Sequence, residues 1–131
     1  MEYNLEFFMN RISDSTLRAI AYELLEEGYK VLFSMWNNPN EAGNYFSYEK
    51  YGRIGYVSIN RFGELSCSSQ YKPSRDHGTG HQYKKDCSLS IEDIMKAKDF
   101  GFVKGVKPWG SLEEFISYKE KFCKMYIFSK D

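Results

Sequence analysis

The sequence predicts an α+β domain: an antiparallel meander of three or four strands, packed on one face by helices from the N- and C-terminal segments. Three observations predict it. Apolar residues recur at helical spacing over residues 4–27 and again after Ser111. Between residues 30 and 71 the period shortens to two, and β-branched and aromatic residues dominate. The period-two runs are joined by links of a few residues, and strands joined so closely run antiparallel.

Leu5, Phe8, Met9 and Ile12 fall at i, i+3, i+4 and i+7, so residues 4–12 read as a short amphipathic helix capped by Asn4. The Ser13–Thr16 cluster interrupts it and offers a new cap. A second helix carries Leu17, Ile20, Ala21, Leu24 and Leu25 on one stripe, and Gly28 stands where a glycine ends such a helix. From Tyr29 to Trp36, Val31, Phe33 and Met35 alternate with Lys30, Leu32 and Ser34, as a strand requires. Residues 37–44 are dense in Asn, Pro and Gly and read as a loop. Tyr45–Glu49 reads as the second strand, Lys50–Arg53 as a turn, and Ile54–Asn60 as the third strand. Arg61-Phe62-Gly63 connects it to Glu64–Tyr71. That strand sets Leu65, Cys67, Ser69 and Tyr71 on one face, and Glu64, Ser66, Ser68 and Gln70 on a polar one. After a long polar loop, Ser90–Asp93 resembles a capping box opening a helix that ends near Gly101. Ser111–Glu114 is a capping box in its usual form and starts the last helix, with Leu112, Phe115, Ile116, Phe122 and Cys123 on its stripe and Lys119 as a snorkelling stem. Met125–Phe128 reads as a final strand or a docked tail.

With 131 residues, no repeat and no linker, the chain is read as a single domain spanning 1–131. Hydrophobic residues form 42% of it and aromatics 18%, enough for a packed core. Eighteen Lys and Arg balance eighteen Asp and Glu, which disfavours generic coating of nucleic acid. The charge is nevertheless uneven: residues 1–30 carry six acids against three bases, while residues 72–90 carry four bases against two acids. The first residues lack the basic and apolar regions of a signal peptide, and no apolar run reaches the ~18 residues of a membrane helix. Three widely spaced cysteines suit reduced thiols better than a disulfide framework. The expected setting is the cytoplasm, with no membrane partner.

Tyr71–Asp86 holds both histidines, a Gly-Thr-Gly triplet and four of the eighteen basic residues. Candidate binding residues are Tyr71, Lys72, Arg75, His77, Thr79, His81, Tyr83, Lys84 and Lys85 of this loop, together with Ser66, Ser68 and Gln70 of the polar strand face beside it. Cys67, His77, His81 and Cys87 come nearest to a metal set. However, glycines separate the histidines and no close ligand pair exists, so no metal and no cofactor is assigned. Cys87, beside Lys84 and Lys85, has the setting of an activated thiol, whereas Cys67 and Cys123 sit on apolar stripes as small hydrophobes do. No catalytic residue is assigned. Gly78 and Gly80 would let backbone N–H groups approach a phosphate, with Arg75, His81, Lys84 and Lys85 adding charge. The segment nevertheless matches neither nucleotide-binding fingerprint. Lys50, Arg53, Arg61, Lys72, Arg75, Lys84 and Lys85 interleaved with Tyr45, Tyr48, Tyr51, Tyr56, Tyr71 and Tyr83 would suit base stacking, but the nearby Glu41, Glu49 and Glu64 oppose a general version of it, and the same residues suit a protein partner at least as well.

The run Ile54-Gly55-Tyr56-Val57 through Arg61-Phe62-Gly63 to Tyr71-Lys72-Pro73, with Gly78-Thr79-Gly80 after it, resembles small accessory proteins of bacteriophages and conjugative elements. The likeness covers residues 45–82, about a third of the chain, and carries over no catalytic residue. Several classes of these proteins block host defence, CRISPR effectors included, by binding its protein machinery. The resemblance therefore implies a non-enzymatic binder that inhibits or modulates a host protein or nucleoprotein complex. The residues leave two alternatives: a nucleotide-binding or nucleotide-sequestering domain using the 72–86 loop as a phosphate cradle, and a Cys-dependent enzyme. A homo-oligomer is compatible with all three.

Overall fold

A computed structural model describes residues 3–35, 45–59, 62, 65–69, 83–86 and 109–130, with residues 53, 56, 66–69 and 83–86 described by their backbone alone. Its elements are α1 (Leu5–Arg11), α2 (Ser15–Glu26), β1 (Lys30–Met35), β2 (Tyr45–Lys50), β3 (Arg53–Ile59), β4 (Leu65–Ser69), β5 (Tyr83–Asp86), α3 (Leu112–Lys119) and β6 (Lys124–Phe128). The α+β class and the antiparallel meander are as expected. The described sheet is wider than the meander, with six strands in the order β5-β4-β3-β2-β1-β6 and every neighbouring pair antiparallel.

Local chemistry explains where the helices begin and end. The Asn4 side chain accepts from the Phe7 amide at 2.9 Å, and Asp14 from the Leu17 amide at 2.8 Å, so each satisfies a donor that the first turn leaves open. At the end of α2 the Tyr29 amide donates to the Leu24 carbonyl and the Gly28 amide to the Leu25 carbonyl, the paired bonds of a Schellman motif. Gly28 lies at φ +90°, and a Cβ there would meet Lys50 no closer than 3.8 Å. Backbone conformation, not space, is what requires the glycine. In α3, Ser111 caps the Glu114 amide at 3.2 Å. The Glu114 carboxylate reaches one residue further back than a standard capping box, to the Gly110 amide at 3.0 Å.

The strand registers sort the sheet into two faces. Val31, Phe33, Phe46, Tyr48, Val57 and Leu65 share one face and pack with Phe8, Met9, Ile12, Leu17, Ile20 and Leu24 of the N-terminal segment. Leu32, Ile54 and Met125 lie on the other and pack with Trp109, Leu112 and Phe115. The described helices do not pack on one face as the sequence predicts but flank the sheet on both sides: α1 and α2 cover one face and α3 the other. Leu32 explains why. It interrupts the apolar–polar alternation of β1, and a strand apolar at Val31, Leu32 and Phe33 in succession has to be covered twice. α3 also ends at Lys119, so Phe122 and Cys123 follow it in a turn rather than extending its stripe, and Phe122 is exposed. The Lys119 ammonium lies 5.7 Å from the Phe115 ring centroid, its stem running along that buried ring. The helix expected after Ser90 lies outside the described residues. No helix among the described residues is long and apolar enough to cross a membrane.

Candidate functional site

Several segments converge on one end of the sheet. The register pairs Lys30 with Glu49, Gly55 with Ser69, and Ser69 with Tyr83. The start of β1, the β2–β3 turn, the end of β4 and the start of β5 therefore all lie at this end, with the C-terminus of α2 beside them. The strands that bracket residues 70–82 begin and end here.

The β2–β3 turn is the expected one, and its two central residues are Tyr51 and Gly52, both at positive φ (+55° and +81°). Two positive-φ residues between antiparallel strands form a type I′ hairpin, whose twist matches that of the strands but which favours Asn, Asp or Gly at both positions. Gly52 fits that preference; Tyr51 does not, and its Cβ crowds the backbone. Neighbouring contacts hold the turn. The Gly52 amide donates to the buried Glu49 carboxylate at 3.0 Å. The Lys50 ammonium donates to the Glu27 carbonyl at 2.7 Å, capping the negative end of α2, and lies 5.1 Å from the Tyr29 ring and 5.5 Å from the Tyr51 ring. Tyr51 itself is 92% exposed. Glu27, Gly28, Lys30, Glu49, Lys50 and Tyr51 line an open cleft of about 420 Å³.

The structure places five of the sequence-derived site residues on strands. Tyr83, Lys84 and Lys85, read as the end of a loop running to Asp86, belong to β5 instead, because Tyr83–Asp86 pairs with Ser66–Ser69. Ser68 faces Lys84 and Ser66 faces Asp86 across the β4–β5 pair, on the sheet face that carries α3. Tyr83 and Lys85 belong to the opposite face, with Ser69 and Cys67. The polar strand face is thus joined by Lys84 but not by Lys85. Gln70, Tyr71, Lys72, Arg75, His77, Thr79 and His81 lie outside the described residues, as do Cys87 and the Gly-Thr-Gly triplet. Lys50 and Tyr51 were legible as members of a basic–aromatic series. The signal that singles them out is a two-residue connection, Tyr51-Gly52, with a bulky residue where a small one is favoured.

Cys123 follows α3, with its thiol 3.5 Å from the Lys119 carbonyl and 3.7 Å from the Met125 sulfur. Burial pushes this thiol above its ordinary pKa, the Lys119 charge pulls it partly back, and Glu120 adds to the rise. Burial also lowers Lys119, against the influence of Cys123. A thiol raised in the folded chain is less ionised there than in the unfolded chain between the two pKa values, so its contribution to stability falls as pH rises across that window. Iodoacetamide should accordingly label Cys123 more slowly in the native protein than in urea at pH 8. The difference should narrow as pH rises through the raised pKa, read by peptide mass mapping. Faster labelling in the native state would identify an activated nucleophile instead. No family model matches this chain, and no curated protein or solved structure matches it.

Proposed function

We propose that this chain is a non-enzymatic binding protein that acts by direct contact on a host protein or nucleoprotein complex, as mobile elements use such proteins to inhibit or modulate host defence. The observation that carries the reading is Tyr51, a large aromatic held almost fully in solvent at a left-handed backbone position. Both features oppose folding: burial would release apolar surface from water, and Asn or Gly would relieve the backbone. A residue placed against both preferences is accounted for by a contact, and Tyr is among the commonest anchors of protein interfaces. Two neighbouring features support the same reading. Strand β4 ends and β5 begins on this side of the sheet, and the sequence between them carries Lys72, Arg75, His77 and His81, residue types that suit a polar rim. The resemblance to phage and conjugative-element accessory proteins supplies the partner class.

Tyr51→Asn tests it. The variant should fold and gain up to about 1 kcal/mol of stability by urea titration, yet lose the partners that the wild-type chain retains from a bacterial host lysate. The triple variant Arg75→Ala, His77→Ala, Lys84→Ala should lose them too. Retention of the same partners by both variants would remove the reading. The alternative is a nucleotide-binding domain that uses the 72–86 loop as a phosphate cradle. A nucleotide ligand at a hundred times its Kd would add about 2.7 kcal/mol of stability, so a thermal-shift panel of mono-, di- and cyclic nucleotides separates the two.

A further inference from the structure

The sheet has two outer strands among the described residues, and their sequences differ in kind. β5 reads Tyr-Lys-Lys-Asp, three charges in four residues, which is how natural sheets keep an edge from pairing. β6 reads Lys-Met-Tyr-Ile-Phe, with one charge at its first residue and four apolar or aromatic residues after it. Among the described residues β6 is hydrogen-bonded on one side only, to β1. Among the described residues nothing pairs with its other side, a row of backbone donors and acceptors whose natural complement is another extended strand. Ile127, in the middle of this edge, is 41% exposed, and Phe122, just before the strand, is 57% exposed.

We propose that β6 pairs antiparallel with β6 of a second copy of this chain, joining two six-stranded sheets across a two-fold axis. The sequence of the strand is complementary to itself in one register. With the axis between the two Tyr126 residues, Met125 falls opposite Ile127 of the other copy on the α3 face, and Lys124 falls opposite Phe128 on the α1 and α2 face. The exposed Ile127 thereby gains an apolar cross-strand neighbour, and the strand's one charge meets an aromatic ring rather than its own copy. The pairing is isologous and closes at two subunits. Pairing of β6 with the β5 edge of another copy would instead propagate into a filament, and it would set the charges of β5 against the apolar run of β6. This inference does not rest on the contact role of Tyr51, which lies in the β2–β3 turn.

Sedimentation equilibrium of the full chain from low micromolar to millimolar concentration should show a monomer–dimer equilibrium. Ile127→Lys, a change at a partly exposed position, should remain monomeric over the same range with an unchanged circular dichroism spectrum. In the wild-type chain the amides of β6 should gain hydrogen-exchange protection as concentration rises, while those of β5 do not, a readout that needs no variant. A wild-type chain that stays monomeric throughout overturns the proposal. So does a dimer that persists in Ile127→Lys, or one whose concentration-dependent protection falls on β5.

Discussion

Phe33→Ala should destabilise the protein by about 3–5 kcal/mol, the usual range for removing a fully buried aromatic ring. Phe33 is 1% exposed and stacks on Phe8 of α1 at 4.8 Å, with the ring planes 10° apart. It also contacts Phe46 of β2 at 5.9 Å and Phe128 of β6 at 6.0 Å between centroids. One ring thus ties the first helix to three adjacent strands. Its removal forfeits the burial of the ring and leaves a cavity bounded by rigid aromatics that cannot collapse into it. Domains of this size are stable by only about 5–15 kcal/mol, so most of the margin would go. The check is a urea titration, in which the midpoint should fall with little change in slope. Phe122→Ala, at an exposed site in the turn before β6, should shift the midpoint little by comparison.

Leu32→Asp should be at least as damaging, with a loss of about 3 kcal/mol or more, or failure to reach the native state. The reason is specific to the two-sided architecture. Were helices present on one face alone, Leu32 would point to water and an aspartate there would be close to neutral. With Trp109, Leu112 and Phe115 over it, the carboxylate would be buried without a partner. Lys30→Ser, two residues earlier on the same strand face but exposed, is the matched control and should change stability by no more than about 0.5 kcal/mol. Thermal unfolding followed by circular dichroism separates the two outcomes. Similar melting of the two variants would mean that α3 does not cover this face.

Most of the element inventory was legible in sequence because it rests on local chemistry. Asn4 and Ser111 are caps whose side chains need only the next turn of their own helix, the Ser13–Thr16 cluster supplies a third in Asp14, and Gly28 is a stop whose requirement is its own φ. The alternation in β4 put Leu65 on the core side, and the register bears that out. Three features were less legible. Tyr83–Asp86 carries three charges, so its pattern reads as loop, and only pairing with β4 makes it a strand. Phe122 and Cys123 continue an apolar stripe on paper, but α3 ends at Lys119, and the chain turns there into β6. Of the candidate site, the basic–aromatic character of Lys50 and Tyr51 was visible. Their prominence was not, because it comes from the α2 terminus that Lys50 caps and from the turn geometry that holds Tyr51 outward.

By itself the sequence determined the α+β class, where the described helices start, the glycine stop of α2, the β2–β3 turn and the antiparallel sense of the meander. Each follows from contacts within a few residues or from the length of a link. Tertiary structure alone decided which helices cover which face, that β6 adds to β1 at the side away from the meander, and that the β2–β3 turn, the α2 terminus and the ends of β4 and β5 share one end of the sheet. Those outcomes depend on pairing between residues far apart in the chain. Periodicity says that a face must be buried without saying what buries it.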